Sequence, residues 1–188
     1  MKLYHGSSLE IQEPDIGRSR IDIDFGPGFY LTDDRRMASK WACSKSESVL
    51  NAYNLDMSEL KVKELALNEE WLHYVMGNRT GSREEYPTFD DKGYDVIIGA
   101  TADDKLFNII DMYNDGLIST ENAIKVMNCM NYSKQVVLKT QKAIDKLEFL
   151  YSHELYGQEK QQMRQMYSED GREANRRTRD LLRELNGR

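Results

Sequence analysis

The chain has 188 residues, 31% of them charged and 39% hydrophobic, with a formal net charge of −6 and a pI near 5.2. That length suffices for one domain with a proper core, and the acidic balance argues against a protein that coats duplex DNA. No apolar run approaches the roughly 20 residues that span a bilayer, so no membrane partner is expected. The strand-like Leu3-Tyr4-His5-Gly6-Ser7, with no basic-then-apolar leader, predicts a cytoplasmic protein without a signal peptide.

Residues 2–5 predict a first strand, closed by Gly6-Ser7-Ser8, and a loop with Pro14, Gly17 and the basic pair Arg18 and Arg20 runs on to Asp24. Gly26-Pro27-Gly28 is a strong turn signal, and Phe29-Tyr30-Leu31 is a β-prone run after it. Asp33-Asp34 caps a helix that runs to about Glu47 and carries Met37, Trp41, Ser44 and Ser48 on one side. Val49 to Leu55 and Leu60 to Leu67 alternate as two strands. Asn68 caps a helix reaching Met76, and the polar, turn-rich stretch from Gly77 to Gly93 predicts a surface loop. Tyr94 to Gly99 is the clearest buried strand.

From Asp103 to about Met130 two helices are expected, broken at Asn114-Asp115-Gly116, the second opening at Ser119. Gln135 to Lys139 is a further strand, Thr140 opens a short helix ending at Leu147, and Glu148 to Tyr151 is a last strand. Short strands interleaved with helices, without a regular βαβ repeat, predict an α+β fold of two small curved sheets facing a cleft, with helices outside. Residues 154–188 hold eight Lys/Arg against seven Asp/Glu and a thin apolar stripe of Met163, Met166, Ala174, Leu181, Leu182 and Leu185, broken at Gly171. The division is therefore a domain over 1–152 and a charged helical arm over 153–188, contributing little to the domain. That arm is either a solvated helix or a partner-binding, dimerising one.

Cys43 and Cys129 make no disulfide framework and read as reduced thiols. His5, His73 and His153 lie far apart with no paired ligand spacing, so no metal is expected. Cys43, two residues past Trp41 and with no histidine beside it in sequence, reads as a buried thiol rather than a nucleophile.

The chemistry concentrates at the front of the chain. His5-Gly6, Gly28-Phe29-Tyr30 and Trp41 combine aromatic faces and an imidazole with glycines that let backbone approach a flat ligand. Each has a plainer reading: a half-buried strand histidine, core aromatics, and glycines that mark a turn. The glycines make no dinucleotide fingerprint, because no helix follows them directly. Arg18 and Arg20 either clasp a pyrophosphate or are solvated loop residues. Asp103-Asp104 either caps a helix or joins a site.

In their order and spacing these residues resemble the ADP-ribosyltransferases of the His-Tyr-Glu type, in the branch of diphtheria toxin and the poly-ADP-ribose polymerases. That family has His-Gly on its first strand, Gly-x-Tyr opening a later strand, and a second aromatic eleven residues on, as Trp41 stands to Tyr30. The chain also resembles an uncharacterised bacterial family of the same fold, which shares a DFGxGFYxT segment, a YDxxIGxxADD strand and a late QVxxKT strand. The resemblance implies a split β-sandwich around an NAD cleft, with peripheral helices. It implies His5 on a ribose hydroxyl, the Gly6 backbone on the carboxamide, and nicotinamide between Tyr30 and Trp41. Ser7 and Gly28, with Arg18 and Arg20, complete the expected NAD-binding set. The implied activity is mono-ADP-ribosyl transfer from NAD, as co-substrate, to a protein or nucleic-acid acceptor. A bacterial toxin or phage-conflict effector would act this way, with a neutralising partner on its arm.

One position departs from the family. Gln135 opens the late strand where a catalytic glutamate is expected. An amide can orient the ribose, but it supplies no charge opposite an oxocarbenium-like sugar. Three routes follow: Gln135 positions while Asp103, Asp104 or Glu148 supplies charge; the acceptor supplies it; or the chain binds NAD or a related nucleotide without turnover.

Overall fold

In the computed structural model of the chain, which describes residues 1–102, 104–129 and 132–185, β1 (Lys2–Ser7) pairs antiparallel with the almost wholly buried β3 (Val49–Leu55). The expected helix start at Asp103, the helix end at Met130 and the tail residues 186–188 lie outside those residues. Outside β3 lies the edge strand β7 (Leu147–Glu154). On the other side, β2 (Phe29–Thr32) pairs with β6 (Lys134–Leu138), β6 with β5 (Val96–Ala100), and β5 runs parallel to the short edge strand β4 (Val62–Glu64). All seven strands form one mixed sheet in the order β4-β5-β6-β2-β1-β3-β7. Its seam is thin: β1 and β2 share a single registered pair, Tyr4 with Thr32. The fold is α+β, a three-strand block and a four-strand block meeting on that line.

Helix α1 (Arg35–Cys43) is capped by Asp34, whose carboxylate accepts from the Arg36 and Met37 amides. It ends at Cys43, short of the expected Glu47, and packs directly on β1. A methyl at Gly6 would collide with the Ala38 carbonyl oxygen and the Ala42 nitrogen. This close approach explains why β1 continues through Gly6 rather than closing there. Helix α2 (Glu69–Thr80) starts at the expected cap, Asn68, but runs four residues beyond Met76. Of its two candidate stop glycines, Gly77 stays helical and Gly81 takes the left-handed turn at φ 73°.

The expected surface loop from Gly77 to Gly93 is therefore partly core. Asn78 and Asp91 are buried. Arg83 donates to both Asp91 oxygens at 2.9 and 3.0 Å, and the Tyr74 hydroxyl donates to Oδ2 at 2.9 Å. Lys139 Nζ lies 3.5 Å from the same carboxylate, and the Asn78 side-chain Oδ1 accepts from Arg83. Burial alone would push the Asp91 carboxyl up, but these partners hold it at about 2.

Two helices, α3 (Asp104–Asn114) and α4 (Thr120–Asn128), follow as expected, with Gly116 at φ 69° between them and Ser119 capping the second. They cover one face of the sheet with α2, through Trp71, Leu72, Leu106, Ile109 and Val126. The strand expected over Leu60 to Leu67 shrinks to Val62–Glu64, an edge position with one neighbour. Thr140 caps the short α5 (Gln141–Asp145), which ends early because β7 begins at Leu147.

The C-terminal segment forms one helix, α6 (Gly157–Leu185), with no break at Gly171, where a side chain would meet open space. It packs on the body of the protein. Arg164 Nε donates to the Cys43 carbonyl at 3.0 Å, Lys160 reaches the Ser46 carbonyl, and Lys40 pairs with Asp170. Met163 rests on the cluster of Ala38, Ala42 and Leu50, while Leu181 and Leu182 rest on the α2–α4 core. Its apolar stripe thus faces the chain itself; the side chain of Leu185 lies outside the description. Among the described residues no helix is long and apolar enough to cross a membrane.

Candidate functional site

Strand parity alone would separate the expected site residues. Thr32 lies opposite Gln135 and Tyr30 opposite Val137, so Tyr30 and Gln135 share one face of the sheet. Tyr4 lies opposite Thr32, which turns His5 to the other face, where its ring packs on Phe29 with centroids 4.6 Å apart. They meet because β1 and β2 part beyond the Tyr4–Thr32 pair. A cleft of about 1280 Å³ opens along that seam, lined by His5, Gly6, Gly28, Tyr30, Trp41 and Gln135. Arg18 and Arg20 line its outer wall, together with the loop from Leu9 to Asp24.

Across the seam, His5 does the work that a backbone ladder would do. Its Nδ1 lies 2.6 Å from the Tyr30 carbonyl oxygen. A carbonyl can only accept, so Nδ1 carries the proton and Nε2 remains an acceptor. Burial lowers the His5 pKa, outweighing this hydrogen bond, and keeps the ring neutral.

Tyr30 is fixed at its far end. Its hydroxyl accepts from the Phe25 amide at 2.9 Å and donates to the Gly26 carbonyl at 2.7 Å. Burial pushes its pKa well above the ordinary tyrosine value, so it stays a neutral phenol. The turn it grips is held by the Asn78 amide on the Asp24 carbonyl and by Lys139 on the Phe25 carbonyl. Trp41 is half-buried on α1, and among the described residues neither it nor Tyr30 pairs with another ring. Both rings line the cleft, Tyr30 with part of its surface packed on the core.

Gln135 is 2% exposed, yet its Nε2 has no hydrogen-bond partner among the described residues. A buried amide left open in this way is unfavourable by roughly 1–3 kcal/mol unless something polar meets it. The residue borders the cleft.

The remaining expected residues divide. Gly28 lines the cleft, but its lack of a side chain is set by packing, since a methyl there would sit 2.6 Å from Val137 Cγ1. Ser7 does not line it; its hydroxyl bonds the Leu9 carbonyl and accepts from Asn51, shaping the start of the loop. Arg18 is 89% exposed and paired with Asp15 at 3.4 Å. Cys43 is buried, with its thiol pushed up by that burial, and Cys129 is exposed. Glu148 sits opposite Asn54 on the edge strand and takes no part in the cleft. Asp103 lies outside the described residues, and so does the side chain of Asp104. No group of three or more metal-ligating side chains converges among the described residues.

Two cleft residues escaped the sequence reading. Asp24 and Arg79 form an ion pair there, at 2.6 Å between Arg79 Nη2 and Asp24 Oδ1, with side chains 17% and 20% exposed. Arg79 also donates to the Ala102 carbonyl at 3.1 Å. Asp24 was visible as the start of Asp24-Phe25-Gly26, but Arg79 lay in the stretch read as a surface loop, so nothing in sequence joined the two.

A family model described as a protein of unknown function (DUF3990) matches residues 1–149, ending within β7 and leaving α6 outside the match. No curated protein and no solved structure matches the chain.

Proposed function

We propose that this chain, which belongs to the DUF3990 family, binds NAD along the seam cleft and transfers its ADP-ribose to a macromolecular acceptor. The observation that carries this reading is the convergence of His5, Tyr30, Trp41 and Gln135, spread over 130 residues of sequence, on one cleft with an open buried amide. At about 1280 Å³ the space exceeds the roughly 300–1,000 Å³ of ordinary small-molecule sites and suits an extended dinucleotide. On this reading the seam is the split of an ADP-ribosyltransferase-like sandwich.

Tyr30 and Trp41 hold the nicotinamide ring, the Gly6 backbone meets its carboxamide, and His5 Nε2 accepts from a ribose hydroxyl. Gln135 Nε2 donates to the nicotinamide ribose, and Arg20 faces the pyrophosphate. The glycosidic bond then breaks with its electron pair going to the nicotinamide nitrogen. The sugar is fixed as it gains cationic character.

A second reading, NAD binding without turnover, is favoured by the neutral side chain at Gln135, which offers no charge to that cation. One experiment separates them: an NAD titration beside a nicotinamide-release assay on the wild type and on Gln135→Glu. Release by the wild type, raised in Gln135→Glu, supports the transferase. Binding with no release from either leaves the silent module, and no binding at all ends both.

A further inference from the structure

Five carboxylates line the cleft, and four of them, Glu10, Glu13, Asp15 and Asp22, are exposed on the loop between β1 and β2. Asp24 is the fifth and differs from the rest. Its side chain is 17% exposed, and both short contacts from Arg79, at 2.6 and 2.7 Å, land on Oδ1. Among the described residues no other side chain bonds Oδ2. The group is oriented from both sides, because Arg79 is tied to the Ala102 carbonyl and the Asp24 carbonyl accepts from Asn78 at 3.1 Å. It also immediately precedes the Phe25–Gly26 backbone that fixes the Tyr30 hydroxyl. Arg79 anchors one carboxylate oxygen, the residue's own backbone amide also bonds the carboxylate, and no other side chain among the described residues meets Oδ2.

We propose that Asp24 is the general base of the transfer, taking through Oδ2 the proton of the nucleophile that attacks the ribose. This rests on the ADP-ribosyl-transfer reading. As the bond from C1′ to the nicotinamide nitrogen breaks, its electron pair neutralises the pyridinium. The oxygen of water, or of an acceptor hydroxyl, forms the new bond to C1′, and its proton passes to Asp24. The carboxylate also places negative charge in a cleft whose late strand supplies none.

Its surroundings suit the role. Burial raises the Asp24 pKa, against the pull of Arg79 from α2 and Arg20 from the loop, which brings the carboxyl closer to working pH. Among the described residues the Tyr30 hydroxyl from β2 also faces it, and stays neutral.

The test uses the full chain, with NAD as ligand and water as nucleophile. Asp24→Asn keeps an oxygen for Arg79 and removes the base. Expected are NAD affinity within twofold of wild type, an unchanged melting temperature, and nicotinamide release lowered at least tenfold. The pH profile adds a measurement that needs no variant: wild-type release falls as pH drops through the raised carboxyl pKa, and the Asp24→Asn profile loses that limb. Release within twofold of wild type, or a wild-type rate flat across that range, overturns the role of Asp24 while leaving the transferase standing. A wild type that binds NAD without releasing nicotinamide overturns this role and the transfer chemistry together.

Discussion

Around Asp91 the chain satisfies both carboxylate oxygens: Nη1 and Nη2 of Arg83, the Tyr74 hydroxyl and Lys139 converge on one carboxylate, and the Arg83 Nη2 also donates to the Asn78 side-chain oxygen. A few residues away, the cleft leaves Gln135 Nε2 without a partner among the described residues, and Asp24 gives only one of its two oxygens to Arg79. Both places are largely screened from water and use the same residue types. The difference teaches what each is for. A buried polar group is tolerated when the fold satisfies it, as at Asp91, or when a ligand can.

The largest effect tests the closed side. Asp91→Ala leaves Arg83 and Lys139 unpaired and lowers unfolding free energy by about 3 kcal/mol, measured by urea melts, with the half-exposed Arg83 keeping the loss near the low end of the range. NAD affinity of the folded fraction stays within twofold. The acid limb has a definite sign. Because the folded Asp91 is held at about 2, below its ordinary value of 3.8, its stabilisation is complete above that ordinary value and is lost as pH falls toward 2. A melt followed from pH 5 to 2 shows a larger loss in the wild type than in Asp91→Ala, the remainder coming from carboxylates such as Asp34 and Asp95 that are also held low.

Gln135→Leu tests the open side in the opposite sense. Replacing an unsatisfied amide with an apolar group of similar size leaves stability unchanged or raises it by about 1 kcal/mol, while NAD affinity falls by about 1–2 kcal/mol. A destabilised Gln135→Leu protein that still binds NAD would erase the contrast with Asp91. Tyr30→Phe comes next. It removes the hydroxyl that grips Phe25 and Gly26 but keeps the stacking face, so melts drop by about 1 kcal/mol and NAD binding weakens less than in Tyr30→Ala. The smallest effect is at Arg18, so exposed that Arg18→Ala changes stability by under about 0.5 kcal/mol and leaves NAD affinity unchanged in the same titration.

Caps and short-range patterns were legible in the sequence: Asp34, Asn68, Ser119 and Thr140 each cap the helix expected of them. The errors came where a distant segment decides a local choice. Gly77 reads as a stop, but the helix continues to the left-handed Gly81. Gly171 reads as a break, but α6 is held in register by α1 and by the α2–α4 core on either side of it. At the cleft, His5, Tyr30, Trp41 and Gln135 could be gathered only through the family resemblance of their order and spacing, since each alone reads as an ordinary strand or core residue. Asp24 and Arg79 could not, because an ion pair across 55 residues leaves no spacing to read.

The Tyr4–Thr32 seam carries a mechanical implication. Along their strand edges the two blocks share one backbone pair and one imidazole hydrogen bond, with His5 on one block and Tyr30 and Gln135 on the other, while Leu3 and Tyr53 pack on Phe29 and Leu31 beneath that line. A molecule lying along the joint and gripping both blocks would act as a splint. Its binding would be felt as a change in stiffness across the whole sheet, and a partner that pried the blocks apart could silence the cleft without entering it.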